Sequence, residues 1–374
     1  MRITLGSAPA AEYSLEMVSD GGTHDMLLRW FAFALTLGLV FAPTATAHTP
    51  IGSGSNESLA SATVIPDSTK SWAVYADLHQ GGEAQYYRFE ASRGEKVPIQ
   101  LYTSPAPQDA GFVPSFVVMG PGVPEQGSLP GYVGSPAGAG HLVVPGTNAA
   151  QATYEAFAPS VFLQVAETSL DASVTGTYYV AVYDDDRGGR YGIAIGQREA
   201  FTLSQWVTTP LAFSAIYSWE GQSLVLVYAP ALLVVVIGLG LLVRRQRRGW
   251  ALDLVGWMAA IAGLLFLGSG ATVVSQMAVS LMRSKPDALV IATLVLATAP
   301  MVVGVLTLLL AIRRSGRWTI GSRLYLALLG VAALVFWAGW LVGPGLAIVA
   351  AFALHPWSGT AVSVIGARSN KRIT

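Results

Sequence analysis

The chain has 374 residues, 52% of them hydrophobic and 12% charged, and its 22 basic and 22 acidic side chains balance to a formal net charge of zero. That composition is too apolar for an ordinary soluble protein, and a cysteine count of zero excludes disulfides, thiolate metal sites and thiol catalysis. The balance conceals two halves: residues 48–220 carry 16 acidic and 7 basic side chains, and residues 221–374 carry 2 and 13. The first half therefore offers no electrostatic footprint for nucleic acid, and the second sets its arginines beside long apolar runs, where they act as topology signals.

Residues 1–47 read as an N-terminal extension followed by a secretory signal. The stretch MLLRWFAFALTLGLVFAPTATAHTP joins a short basic region at Arg29 to an apolar run and to small residues at Ala45-Thr46-Ala47. Met26 is the expected start of the signal and Ala47 the last residue before cleavage, which leaves His48 at the mature N-terminus. An uncleaved signal anchor is the alternative.

Residues 48–219 follow as an exported β domain. The segments WAVYADLH, EAQYYRFEA, KVPIQLYTS, SFVVMGPG, HLVVPG, SVFLQVAE, GTYYVAVYD and YGIAIGQ are short, rich in Val, Ile, Tyr and Phe, and separated by Gly, Pro, Ser, Asn or Asp. This is the pattern of a jelly-roll-like β-sandwich. No amphipathic helical repeat longer than two turns is evident in the region. The Gly/Pro-rich stretch from Gly120 to Gly146 reads as a long excursion between strands, either a binding loop or plain surface. In TGTYYVAVYDDDRGGRYGIAIG, Tyr178, Val180 and Val182 share one face and Tyr179, Ala181 and Tyr183 the other, with Asp184 to Arg190 as the connecting loop of a hairpin.

NESLASATVI, then GEAQYYRFEASRGEKVPIQL, then TGTYYVAVYDDDRGGRYGIAIG together resemble the bacterial pre-peptidase C-terminal domain over roughly residues 55–197. That resemblance implies a jelly-roll-like sandwich with a binding or accessory role and no catalysis of its own. Glu83 and Gln85 stand near where that family often carries aspartate, and the middle of the domain is longer than usual.

Two metal readings arise from residue types. Asp184, Asp185 and Asp186 could converge on calcium, which takes six to eight oxygens, although Arg187 and Arg190 flank them and a solvated turn is the plainer reading. His48, with its free α-amino group, could hold copper with His79 or His141 as partner, since amine and imidazole nitrogens suit that metal. No Ser/His/Asp order, paired-carboxylate motif, phosphate-cradling loop or HExxH helix appears, so an enzyme is the minority reading.

From residue 220 the chain turns apolar, and residues 220–358 read as a transmembrane bundle. Stretches 223–243, 250–282, 288–312 and 323–354 each exceed the roughly 20 residues that cross a bilayer, giving four expected spans. The fourth carries a candidate break at Gly343-Pro344-Gly345. Arg244, Arg245, Arg247 and Arg248 follow the first span, and Arg313, Arg314 and Arg317 the third; both ends are expected in the cytoplasm. Pro230 and Pro300, Arg244-Arg245 and Arg313-Arg314, Trp250 and Trp318, and Pro286 and Pro356 recur at offsets of 68 to 70 residues. Two parallel helix hairpins would produce that repeat. A basic tail at 359–374, with Arg368, Lys371 and Arg372, favours the cytoplasm, whereas the repeat would place it outside.

Within the spans, Asp253 lies beside the first arginine cluster, where pairing at the interface outweighs a pathway role, and Gln276 and His355 lie toward the outer ends. Gly256, Ala259, Gly263 and Gly268 allow close helix packing in the second span. The expectation is a cytoplasmic-membrane protein with its β domain outside, serving non-catalytic binding, sensing or envelope assembly. Its partners are the bilayer and another envelope protein, and copper or calcium binding is the alternative function.

Overall fold

The computed structural model describes residues 48–286 and 288–353. The expected signal, its Met26 start and its cleavage after Ala47 lie outside the described residues, as do His355, Pro356 and the basic tail.

The β domain consists of β1 (Thr49–Ile51), β2 (Thr63–Val64), β3 (Trp72–Leu78), β4 (Glu83–Ala91), β5 (Lys96–Thr103), β6 (Ser115–Gly120), β7 (Gly140–Val144), β8 (Thr153–Glu155), β9 (Ser160–Asp171), β10 (Gly176–Asp184) and β11 (Gly189–Ile195). They form two sheets, β1-β3-β11-β5-β9-β8 and β2-β4-β10-β6-β7. The period-2 alternation explains the core: Val74, Ile99, Leu101 and Ile193 of the first sheet meet Tyr87, Phe89, Phe116, Tyr178 and Val180 of the second. Each such side chain contributes roughly 2–3 kcal/mol by leaving water.

One pairing differs from expectation. β10 and β11 do not form a hairpin, because β10 lies between β4 and β6 while β11 lies between β3 and β5 in the other sheet. The acidic turn between them is therefore an arch that carries the chain across the sandwich. Both strands are wide, apolar and aromatic on the inward face, a pattern that an arch and a hairpin share.

The outer face of the second sheet is not bare. Val117, Met119, Ala181 and Tyr183 are buried there against Val133, Leu129 and Leu59, so the 121–139 excursion folds back over its own sheet. The Gly134 N–H donates to the Tyr86 hydroxyl at 2.8 Å, and the Gln126 and Val143 N–H groups exchange bonds with His141 and Gln126 carbonyls.

The remaining elements are helices: α1 (Leu203–Trp219), α2 (Leu224–Arg247), α3 (Leu254–Leu281), α4 (Val290–Arg314), α5 (Ile320–Val335) and α6 (Val342–Phe352). α1 departs from the expectation of an all-β region up to 219. Thr202 and Gln205 form a capping box at its start, a T-x-x-Q signal that the apolar spacing obscures. Among the described residues three helices, α2, α3 and α4, are long and apolar enough to cross a membrane, with 24, 28 and 25 residues.

Small residues set their packing. Gly263 of α3 lies against Gly304 of α4, Gly270 against Ala297, and Gly268 against Ala231 of α2, each so close that an added Cβ would have to shift its neighbour. The rising and falling residue numbers show that α3 runs antiparallel to both α2 and α4. The fourth expected span is not continuous. The chain reverses at Phe336–Leu341, between α5 and α6, just before the Gly343-Pro344-Gly345 that stands out in the sequence. Gly330 packs on Ala347 and Ile348, and the Arg323 guanidinium donates to the Ala351 carbonyl at 3.3 Å and to that of Ala353. α5 and α6 are thus an antiparallel hairpin whose two open ends lie together. The repeat holds for α2 and α4, each with an internal proline and a terminal arginine pair, and fails for their successors.

The arginine-rich ends are tied to one another. Asp253 caps α3 through the Gly256 N–H at 2.7 Å, and also accepts from Ser315 Oγ, the Gly316 N–H and Trp318 Nε1, each at 3.1 Å. Its partners are thus the α4–α5 turn and not the neighbouring arginine cluster, of which Arg245 stacks on Trp250 at 4.5 Å.

Candidate functional site

The residues singled out for metal binding are held apart. His48 precedes β1 at the Trp72 end of β3, where its Nδ1 meets Ser71 Oγ at 2.5 Å; His79 follows the other end of that strand. A seven-residue strand separates them by roughly 20 Å. His141 lies on β7, an edge of the other sheet, with Nε2 3.1 Å from the Gly127 carbonyl. Among the described residues no three His, Asp or Glu side chains cluster as a metal site would require.

Each histidine has a local task. Burial pushes the His48 imidazole down to about 4, so it is neutral beside a polar groove of about 270 Å³ lined by Ser71, Gln100, Gln197 and Glu199. His79 and Glu83 pair at 3.1 Å, and the Glu83 carboxylate also accepts the His79 N–H at 2.8 Å and Gln85 Nε2 at 3.1 Å. That bond, with the charges of Glu83 and Asp77, raises the His79 pKa.

The arch carboxylates are likewise committed. Asp184 accepts the N–H groups of Asp186 and Arg187, both at 3.0 Å, and Asp185 accepts the Tyr132 hydroxyl at 2.5 Å. Arg187 clamps the carbonyls of Ala110 and Gln108, and Gly188 is pressed so tightly on Leu78 and His79 that a Cβ would overlap their backbone. The arch works as a lock between two turns. Gln85, near the position where aspartate is frequent in the resembled family, extends a buried chain instead: Tyr191 donates to its Oε1 at 2.6 Å, Tyr87 and Tyr191 hydroxyls stand 2.6 Å apart, and Gln85 Nε2 reaches the Asp77 carbonyl at 2.7 Å.

A further set of buried polar contacts lies where the sandwich meets the helices. Thr293, fully buried in the first turn of α4, accepts the Tyr154 hydroxyl at 2.7 Å and donates to the Ala156 carbonyl at 2.8 Å. Trp219 at the end of α1 donates to the Tyr191 carbonyl at 3.0 Å, within an aromatic cluster of Tyr75, Tyr102 and Phe162 on the outer face of the first sheet. Arg190 bonds Asp109 at 2.8 Å and the Ser218 carbonyl at 3.1 Å. Glu220, 3% exposed, accepts the Val161 N–H and the Gln222 side-chain amide. Burial pushes its carboxyl up to about 7 despite those bonds and the Arg283 charge.

Below the joint is an aromatic seam. Pro210 in α1 has no N–H to give the Trp206 carbonyl four residues earlier, and Trp337 Nε1 takes that acceptor at 2.8 Å. Trp206 Nε1 in return donates to the Val335 carbonyl at 3.2 Å. Trp337 and Trp340 hold left-handed backbone with φ of 55° and 51° at the hairpin tip, a strain of about 1–3 kcal/mol each. Two small cavities meet here, of about 30 and 40 Å³, sharing Phe157, Phe213 and Trp337. Sequence reasoning passed over Glu220, Thr293 and Trp337. The available signals were a glutamate at the mouth of an apolar run and the W-A-G-W tip.

No protein-family model matches the chain, and no curated protein matches it. Among solved structures 11 chains match. One of them, described as "pT26-6p", is 8% identical, with 75% of this chain and 49% of that one covered at a TM-score of 0.13. The chain thus spans about half the length of that structure, and a likeness at this level carries no argument about fold or function.

Proposed function

We propose that the chain is an extracytoplasmic binding module fixed to the cytoplasmic membrane, with a non-catalytic role in sensing or envelope assembly. The observation that carries this reading is the joint. A sandwich held on a tether would need no buried bonds to its anchor, whereas here Thr293, Glu220, Trp219 and Arg190 fasten it to the helices, and four residues separate α1 from α2. A domain so fixed passes a load or a bound partner directly to the bundle.

Charge supports the orientation. Arg244, Arg245, Arg247, Arg248, Arg313, Arg314, Arg317 and Arg323 gather at the end away from the sandwich, against Arg283 and Lys285 at the near end among the described residues. The excess supports a cytoplasmic far end. The α5–α6 hairpin then enters and leaves on that side in place of a fourth crossing. Consecutive strands that change sheets, as β3, β4, β5 and β6 do, support the jelly-roll-like assignment and the resemblance to the pre-peptidase C-terminal domain.

Gentle detergent extraction of the full-length protein followed by identification of co-purifying proteins tests this reading. A stable envelope partner that is lost when the sandwich surface is altered supports it, and a clean monomer without companions counts against it.

A further inference from the structure

α3 carries a polar line that the packing does not satisfy. Thr272, Gln276 and Ser280 recur at one-turn intervals, are 5%, 2% and 1% exposed, and their Oγ1, Oε1 and Oγ atoms find no hydrogen-bond partner among the described residues. An uncompensated buried polar atom is costly, more so where lipid surrounds the bundle, so three on one face call for partners.

The line opens into a cavity. Thr272 lines the space of about 40 Å³ that Tyr228, Ser269, Pro300 and Trp340 also wall, and a water needs only about 15 Å³. Leu296, on the same wall, has its carbonyl four residues before Pro300, which lacks the N–H to bond it.

We infer that the sandwich-side half of the helix bundle holds a blind, water-occupied seam along α3, from Ser280 to the cavity at Ser269. Side chains one turn apart are separated by roughly 5–6 Å along the axis, the span of one water accepting and donating bonds of about 2.8 Å. Every group named in the seam is neutral, so water fits where a cation, lacking a carboxylate, would not. The seam is closed below. Phe266 presses on the Gly339 and Gly343 backbone, and Gly263 on Gly304, with no room for a methyl group. Its end nearest the sandwich, at Ser280, lies three residues from Arg283, the charge that bears on Glu220. The inference holds whatever the sandwich binds.

X-ray radiolysis of the full-length protein in nanodiscs tests it, since hydroxyl radicals form from bound water and oxidise the side chains beside it. Tyr228 and Trp340 should oxidise above the unirradiated level. In Thr272→Val/Gln276→Leu/Ser280→Ala their oxidation should fall at least about fivefold, because apolar isosteres expel the waters. Should that variant not fold, Thr272→Val alone must lower the signal at Trp340. Labelling no higher than in unirradiated protein, or labelling unchanged in the folded variant, overturns the inference.

Discussion

Residues 250–282 and 323–354 are alike in length and apolarity, yet one folds as the continuous 28-residue α3 and the other doubles back as α5 and α6. The difference lies in where small and aromatic residues fall. In α3 the small residues Gly263, Gly268 and Gly270 each meet a neighbouring helix, and nothing interrupts the backbone ladder. In the hairpin, Phe336-Trp337-Ala338-Gly339-Trp340 places three bulky rings around one glycine in left-handed backbone, φ 70°, and the rings find partners in α1, α2 and β8–β9 residues only if the chain turns there. Apolar length licenses a continuous helix; ring packing decides where the chain turns.

The largest effect is all-or-none. If α5–α6 returns to its own side, a reporter fused after Ala353 reads on the same face of the membrane as one inserted near Arg247. Opposite readings would restore a full fourth crossing and erase the contrast with α3.

Next in size is the tip itself. Gly339→Val adds a branched side chain at positive φ where a Cβ would stand 2.6 Å from the Phe266 ring, for an expected loss of about 4 kcal/mol. Thermal unfolding of the purified full-length protein measures it. A loss below that of Gly240→Val, whose Cβ meets nothing within 4 Å, would show that the tip is not packed as described.

The joint gives a pH-dependent contrast. Glu220 has its folded pKa raised from 4.5 to about 7, so the folded state binds more protons between those values. Stability from this group is complete below pH 4.5 and is lost as pH rises through 7, by on the order of 3 kcal/mol. Glu220→Gln, which retains an acceptor for Val161, should match the parent at pH 4 and melt higher at pH 8. Equal melting at both values would place Glu220 in water. Smallest is Thr293→Val, which removes the bond from the Tyr154 hydroxyl and the bond to the Ala156 carbonyl for about 1–2 kcal/mol and should loosen sandwich from helices without altering α3–α4 packing. Limited proteolysis between 196 and 223 reads that loosening.

Much of this fold is legible in local chemistry. All eight β segments quoted from the sequence coincide with strands, β3 to β7 and β9 to β11, because alternation is a short-range property. The first three spans are equally plain. What escaped was relational. Nothing local separates an arch from a hairpin at Asp184–Gly189, since sheet membership is decided by partners far along the chain. α1 hides because Pro210 and two threonines blunt its periodicity, and its bonds are made by Trp337, 131 residues from Trp206. Glu220 looks like any flanking charge until β9 closes over it. The candidate histidines failed to meet for the same reason: spacing along the chain does not reveal that His48 and His79 sit at opposite ends of one strand.

The seven residues between β11 and α1 and the four from Glu220 to Ser223 leave the β domain little slack against the helices. A head on a long leash sweeps a volume and can capture what drifts past; one with no leash holds its surfaces at a set altitude above the lipid. On the membrane placement proposed above, its encounters would be two-dimensional, favouring components anchored in the same sheet and reaching the same height.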